Sequence, residues 1–422
     1  MNESIIMRQL QFYIISLIGL LLYCTVAPAK SSRFRAMFRD DPSTTICIGW
    51  DQLSGENPVL HYGIRQEKDA VAQQTKPIRV VEYHKMNNHF VRLSNLKPAT
   101  QYYFEVKDSE GTSKRYWFET LPNNSEVPLS IIAGGDSRRT RLGHSTWEPR
   151  VQTNKMVPKI KPHFIAFGGD FTFLDNPIQW QMWFDDWQHT IDSSGKITPL
   201  VVARGNHERE NASVYNLFDS PNQRIVYALN FGGDLMRFYT LNSLDPVVES
   251  DQTLWFESDL KKHKGQEIWR FVQYHHPIVP HQSHKKIKPD EYKSWAPLFY
   301  KHKVQLAIEC DAHVAKITWS IVPDANGDDG FKKVETGGTV YVGEGSWGLK
   351  RINDSDHDWT RASGSFYQFK WMVLSKGKAI LRTVITESPD AVSEVDLKDR
   401  YSPPAGMELW KVNEQSEIIL KP

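Results

Sequence analysis

Five apolar stretches of strand length set the architecture of this chain, because each leads within a few residues to a glycine, aspartate, asparagine or histidine. The stretches are residues 129–133, 164–167, 200–203, 269–274 and 304–308. Longer segments separate them, and residues 177–191 carry tryptophans at helical spacing. Strands that alternate with helices predict an α/β domain, in which ligands bind at the carboxyl ends of the strands.

Each stretch is followed by side chains that can bind a metal ion. The motifs are Gly135-Asp136, Gly169-Asp170, Gly205-Asn206-His207, His275-His276 and Asp311-Ala312-His313. A single Gly-Asp pair after a strand is usually a turn or a helix cap. Five motifs in one chain order are a strong signal. Their carboxylate, amide and imidazole groups suit zinc, manganese or iron rather than calcium.

Residues 32–121 predict a separate all-β domain. Tyr102, Phe104 and Val106 alternate with polar residues, as in a half-buried strand. Tyr102 lies where a sandwich domain places its corner tyrosine. The segment therefore resembles a fibronectin type III sandwich, and residues 121–127 form the linker to the α/β domain.

The composition excludes several classes of protein. The chain has 422 residues, a length that suggests two domains. Of these residues, 40% are hydrophobic and 24% charged, which is typical of globular proteins. Lys and Arg number 51 and Asp and Glu 50, so a net charge of +1 provides no extended basic surface for nucleic acid. The 3 cysteines are too few for a disulfide-stapled scaffold.

The two ends of the chain carry further signals. An apolar run at residues 12–24, shorter than the roughly 20 residues of a spanning helix, precedes Ala27-Pro28-Ala29. This pattern predicts a signal peptide over residues 1–29 and a secreted or periplasmic protein with no membrane span after cleavage, and an uncleaved anchor is the alternative. Residues 387–422 contain several prolines and are expected to form a loosely structured tail.

The ordered motifs resemble those of the calcineurin-like metallophosphoesterases. With the sandwich domain in front, residues 32–386 resemble a purple acid phosphatase. The resemblance implies an α/β metallophosphoesterase sandwich of mixed β-sheets flanked by helices over residues 126–386. It also implies two metal ions, chosen from Fe, Mn and Zn, and a small-molecule phosphate ester as substrate.

The resemblance also assigns metal ligands by position. It implies Asp136 and His313 for the first metal ion, Asp170 as the bridge, and Asn206 and His275 for the second metal ion. A bridging carboxylate offsets the repulsion between two cations, which together would activate a water molecule.

Among the other site residues, two histidines follow the family and three residues depart from it. By resemblance, His207 would contact a phosphoryl oxygen or protonate the leaving group, and His284 would face the substrate. Phe173 replaces the family's tyrosine ligand, which leaves the first metal ion with fewer ligands. Arg138 stands where related enzymes have histidine, and either contacts phosphate or is a solvated surface residue. Asp311 replaces the first histidine of the last motif, and is either a ligand of the second metal ion or a sign of decay.

Three functions agree with these residues. The leading hypothesis is an exported, metal-dependent phosphomonoesterase. A phosphodiesterase or a pyrophosphate-cleaving enzyme would use the same metal ions. A non-catalytic protein that binds phosphate or glycans through a degenerate site is the alternative from another class.

Overall fold

The computed structural model describes residues 29–67, 72–138 and 148–422. The predicted signal peptide lies outside these residues except for Ala29. Eight strands form the N-terminal domain: β1 (Ser31–Met37), β2 (Ile46–Gln52), β3 (Val59–Ile64), β4 (Gln73–Thr75), β5 (Arg79–Tyr83), β6 (Met86–Leu93), β7 (Gln101–Lys107) and β8 (Tyr116–Glu119). One face has the order β1-β2-β6-β5 and the other β4-β3-β7-β8.

The N-terminal domain is the predicted sandwich. The rings of Phe34 on β1 and Phe104 on β7 lie 6.1 Å apart between the two sheets. The hydroxyl of Tyr102 accepts a hydrogen bond from the backbone N–H of Lys97 at 2.8 Å. This bond fixes the chain at the strand corner, as the position of the tyrosine predicts.

The second domain contains the remaining strands and, among the described residues, five α-helices. The helices are α1 (Glu148–Ile160), α2 (Pro177–Trp187), α3 (Asn211–Phe218), α4 (Asp251–Lys262) and α5 (Pro289–Lys301). The strands are β9 (Leu129–Gly134), β10 (Phe164–Phe167), β11 (Leu200–Val202), β12 (Tyr227–Phe231), β13 (Met236–Thr240), β14 (Trp269–Gln273), β15 (Leu306–Glu309), β16 (Ala315–Thr318), β17 (Ile321–Asp328), β18 (Phe331–Lys333), β19 (Val340–Gly343), β20 (Thr360–Gly364), β21 (Gln368–Leu374), β22 (Ala379–Ile385) and β23 (Ile418–Leu420).

Two mixed sheets face each other across the core of the second domain. A ten-stranded sheet has the order β23-β22-β21-β9-β10-β11-β1-β2-β6-β5, and a seven-stranded sheet the order β12-β13-β14-β15-β19-β16-β20. Phe164 of the first sheet lies 4.3 Å from Phe231 and 6.1 Å from Phe238 of the second, ring to ring. The fold is therefore the predicted α/β sandwich of mixed sheets.

Helix α2 supports the end of β9. Its N-terminus is capped by Asn176, which accepts a hydrogen bond from the N–H of Gln179 at 3.0 Å, and Pro177 is its first residue. The predicted tryptophan stripe is buried in the core. One of these side chains, Trp183, also donates from its ring nitrogen to the hydroxyl of Ser137 at 2.8 Å, which fixes the loop after β9.

The two domains share one sheet, which the sequence does not predict. Strand β1 pairs in parallel with β11, Met37 opposite Leu200. Next to this junction the buried carboxylate of Asp219 forms ion pairs with Arg92 at 2.8 Å and with Arg39 at 3.0 Å. Because a buried charge is stable only when it is paired, these contacts hold the sandwich against the second domain.

The C-terminal residues are more ordered than expected. The prediction of a loosely structured tail is wrong for its end, because β23 pairs with β22 at the edge of the large sheet. Cys47 and Cys310, the two cysteines among the described residues, are buried free thiols. No helix in the described parts of the chain is long and apolar enough to cross a membrane.

Candidate metal centre

The motif side chains meet because the strands that precede them are parallel neighbours. Strands β9, β10 and β11 run parallel in the large sheet, and β14 and β15 run parallel in the small one. Their carboxyl ends lie at one edge of the domain, where ligand sites of such sheets form. The structure brings together all six predicted ligands there: Asp136, Asp170, Asn206, His275, Asp311 and His313. Their roles as ligands stay predictions.

Four of these side chains converge on what we call the second position. The Nε2 atom of His275 lies 3.1 Å from Asn206 Oδ1, 3.3 Å from Asp170 Oδ1 and 3.7 Å from Asp311 Oδ1. The other ring nitrogen, Nδ1, lies 2.8 Å from the carbonyl oxygen of Gly168. Since a carbonyl only accepts, Nδ1 donates. Burial opposes the charged form of His275, but the carboxylates of Asp170 and Asp136 raise its pKa well above the usual range, so Nε2 also carries a proton and donates to the facing oxygens. A metal ion at this position would take the place of that proton. The mixed nitrogen and oxygen donors of this position fit a divalent metal ion.

The first position, which we define by Asp136, Asp170 and His313, contains a side-chain cation. Asp136 Oδ1 and Asp170 Oδ2 are buried oxygens without a hydrogen-bond partner, as donors to a cation would be. The cation that approaches them is a side chain: Arg138 Nε lies 3.4 Å from Asp170 Oδ2. Its Nη2 also donates to His313 Nε2 at 3.1 Å. The first position therefore fits a metal ion only if the Arg138 guanidinium moves away from it.

Strained backbone places the ligands. Asp136, Asp170, Asp311 and His313 have φ angles of 61°, 55°, 71° and 63°, in the left-handed region that side chains other than glycine rarely adopt. Such conformations persist only where the surroundings enforce them, and they cluster at functional sites. A Cβ atom on Gly345 would lie 1.6 Å from Asp136 Oδ2, so this turn requires glycine.

Glu208 ties the loops after β10 and β11 together. Its buried carboxylate accepts hydrogen bonds from the N–H groups of Asp170 at 2.9 Å, Phe171 at 2.8 Å and Gly205 at 2.8 Å. Burial, together with the charge of Asp170, raises the pKa of Glu208 to about 7. These bonds hold the two loops that carry the predicted ligands Asp170 and Asn206.

Several negative charges share the pocket. Burial raises the pKa of Asp136 well above its usual range, and the neighbouring carboxylates of Asp170 and Asp311 raise it further. Burial also opposes ionisation of Asp170, but its pKa is lowered because His275, His207 and Arg138 favour its charged form. The pocket therefore attracts cations.

The loop after His275 contains a residue that the sequence does not reveal. The side chain of Lys285 donates to Asp311 Oδ1 at 2.5 Å. The neighbouring His284, which we predict to face the substrate, is exposed, and its role stays a prediction. His281 is buried, with Nε2 2.7 Å from the hydroxyl of Thr360. No motif marks Lys285, because a lysine in a polar loop is ordinarily a solvated residue.

A buried ion cluster lies beneath the pocket. Lys316 donates to Glu309 at 2.7 Å and to Glu344 at 2.8 Å. Glu344 also accepts the N–H of His281 at 2.9 Å, and its carbonyl accepts the N–H of His313 at 2.8 Å. This cluster holds the His281 loop against the last motif.

Cys310 completes the floor of the pocket. Asp136, His275 and Cys310 place potential ligand atoms within 4.8 Å of one another, as do Asp170, His275 and Asp311. Burial raises the pKa of the Cys310 thiol to about 12, so the thiol is neutral in this structure. A Cβ atom on Gly168 would lie 2.3 Å from its sulfur, so Cys310 packs directly against the loop after β10.

Family models match both domains. Residues 32–120 match the purple acid phosphatase N-terminal domain, and residues 144–314 match the calcineurin-like phosphoesterase domain. The second match covers four of the five motifs: Gly135-Asp136 lies before it, and residues 315–386 lie after it.

The curated relatives are named as purple acid phosphatases or as an acid phosphatase. Acid phosphatase type 7 of Danio rerio is 21% identical over 77% of this chain and 81% of its own length. Purple acid phosphatase 21 of Arabidopsis thaliana is 27% identical over 46% of this chain and 45% of its own length, so the match spans less than half of that relative. Fe(3+)-Zn(2+) purple acid phosphatase 12 of the same plant is 22% identical over 56% of this chain and 54% of its own length.

A solved structure shares the fold. The purple acid phosphatase PPD1 from seeds of yellow lupin, Lupinus luteus, superposes with a TM-score of 0.70 over 88% of this chain and 76% of its own, at 14% identity. The prediction of two metal ions is confirmed for the family, whose members are dinuclear metal enzymes.

We expect Glu208→Gln to weaken metal binding by about tenfold to 100-fold, the usual effect of losing a group that orients metal ligands. A glutamine cannot accept all three N–H bonds, because its amide nitrogen only donates. Calorimetric titration of the metal-free protein with Mn²⁺ measures this change, with the exposed neighbour Glu210→Gln as the matched control. Equal affinity in the two variants would show that Glu208 does not organise the pocket.

Proposed function

This chain is a calcineurin-like metallophosphoesterase that resembles the purple acid phosphatases, and from this premise we propose that it is a metal-dependent phosphomonoesterase. The observation that carries the proposal is the second position, where Asn206 Oδ1, Asp170 Oδ1 and Asp311 Oδ1 lie within 3.7 Å of His275 Nε2. Asn206 is exposed, so a substrate can reach this position from solvent. Bound metal ions would lower the pKa of a water molecule and neutralise charge on the phosphoryl oxygens.

His207 is placed to handle a proton. Its Nδ1 lies 2.7 Å from the carbonyl oxygen of Phe173, so Nδ1 donates and the ring orientation is fixed. Its Nε2 lies 3.7 Å from Asp170 Oδ2, at the mouth of the pocket. With both ring nitrogens protonated, it would donate from Nε2 to a phosphoryl oxygen or to the leaving oxygen of the ester. Burial lowers the pKa of His207, so acidic pH favours this charged form.

Two side-chain cations provide for an anionic substrate. Lys285 approaches from the open side, with its side chain 23% exposed, and Arg138 lies deeper, with 8% of its side chain exposed. A guanidinium binds phosphate oxygens through paired hydrogen bonds, and a lysine acts as a point charge. These two cations also favour the alternative of a phosphate-binding protein without turnover, because they supply positive charge that needs no metal ion.

Export is part of the proposal. It is supported by the apolar run at residues 12–24, by Ala27-Pro28-Ala29 and by the position of the first strand, which begins at Ser31 directly after the expected cleavage point. Cleavage after Ala29 would therefore leave the sandwich intact.

For the protein recovered from the medium of a secreting host, we expect N-terminal sequencing to begin at Lys30, because cleavage at the Ala-x-Ala site removes residues 1–29. A sequence that begins at Met1 in a membrane fraction would instead support the uncleaved anchor.

We expect Asp170→Asn to lower hydrolysis of an aryl phosphate by at least about 10²-fold, the scale on which loss of one group that stabilises transition-state charge acts. The amide keeps the shape of the side chain but loses the charge shared by the two positions. Initial rates with Mn²⁺, Zn²⁺, Fe²⁺ and Mg²⁺ measure the effect. Asp185→Asn is the matched control, because the Asp185 side chain is 54% exposed and contacts Arg33 outside the pocket.

The same assay separates the candidate functions. Aryl monoesters, aryl diesters and pyrophosphate are compared at equal concentration. Faster turnover of diester or pyrophosphate would replace the monoesterase proposal. If the protein binds phosphate but none of the four metal ions supports turnover, the non-catalytic alternative is correct.

A further inference from the structure

At the first position, an arginine side chain occupies the place that a metal ion would take. The Arg138 guanidinium contacts both His313 Nε2, at 3.1 Å, and Asp170 Oδ2, at 3.4 Å. We propose that Arg138 competes with the first metal ion, so that the chain binds one divalent ion tightly at the second position and a second ion much more weakly. This inference deepens the proposed function and rests on it for the identity of the ions, but it does not require turnover.

The contact with His313 removes a metal ligand. A guanidinium has only donors, so His313 Nε2 must accept this hydrogen bond with its lone pair. The other ring nitrogen, Nδ1, is buried 3.5 Å from Asp136 Oδ1 and carries the proton of the neutral ring when Nε2 accepts. His313 can therefore bind Arg138 or a metal ion through Nε2, but not both.

The pocket is built to hold the guanidinium. Arg138 lies with its Cζ 5.5 Å from the centre of the Phe173 ring, close enough for a cation–π contact. The preceding Ser137 is fixed by two hydrogen bonds, from the Trp183 ring nitrogen at 2.8 Å and to the carbonyl of Phe171 at 3.2 Å. Phe173 has no oxygen for a metal ion, but its ring face attracts a cation. The two departures from the family pattern, at 138 and 173, therefore act together.

The second position lacks such a competitor for its imidazole. Asn206 Oδ1 and His275 Nε2 face each other, and among the described contacts Arg138 does not reach either atom. Lys285 contacts Asp311, which is one of the four donors, and leaves the other three available. A metal ion at the second position therefore has to displace no guanidinium.

A metal ion at the first position would lie close to the Arg138 guanidinium and would be repelled by its charge.

The experiment measures metal stoichiometry without substrate. The metal-free full chain is equilibrated with increasing Mn²⁺, bound metal is counted by elemental analysis, and electron paramagnetic resonance distinguishes isolated from exchange-coupled Mn²⁺. For the unmodified chain we expect one isolated ion per chain, with a second affinity at least about tenfold weaker. For Arg138→Gln we expect the ratio of the two dissociation constants to fall at least about tenfold. We also expect an exchange-coupled pair of Mn²⁺ ions to appear.

Further variants keep the result decisive. Arg138→His adds a ligand at the same place and should bind two ions per chain, whereas Arg209→Gln, at an exposed residue outside the pocket, should bind one. Two equal affinities in the unmodified chain, or one ion per chain in folded Arg138→Gln and Arg138→His, would overturn the inference. Absence of turnover would contradict the proposed function only, because the stoichiometry is measured without substrate.

Discussion

The burial of Asp136, Asp170 and Asp311 in one pocket is the constraint on which the rest of the second domain depends. All three are less than 5% exposed, and buried carboxylates are stable only when cations or hydrogen-bond donors surround them. The chain meets this need with N–H groups at strand ends, with Arg138 and Lys285, and with the imidazole of His275. The chemistry of the site depends on how Arg138, Lys285 and bound metal ions would share these carboxylates.

The scaffold holds this pocket by joining separate elements. Glu208 connects the loops after two strands of the large sheet, and the Lys316 cluster connects the His281 loop to the last motif of the small sheet. The N-terminal sandwich extends the large sheet through β1 and is fixed by the ion pairs of Asp219. A sandwich continuous with the sheet that carries the ligands gives the ligand-bearing strands a rigid lateral support.

The sequence predicts the strands and the meeting of the six predicted ligands because apolar runs and the residues after them are local signals. The order of motifs also leads to the family, which the matches to both domains confirm. Contacts between distant segments leave no such signal. Lys285 reaches Asp311, β1 joins β11 and β23 joins β22 only after the chain has folded. The sequence shows that residue 138 is an arginine, which has no lone pair to offer a metal ion. That its side chain contacts His313 depends on the direction of the side chain, which the sequence does not reveal.

The central claim is that the strand ends build a metal position around Asn206 and His275. An anomalous-scattering map of crystals of the full chain grown with zinc, collected at the zinc absorption edge, tests it most directly. The account predicts the strongest peak about 2.0–2.2 Å from both Asn206 Oδ1 and His275 Nε2. A strongest peak between Asp136 and His313, or no peak at the strand ends, would contradict it.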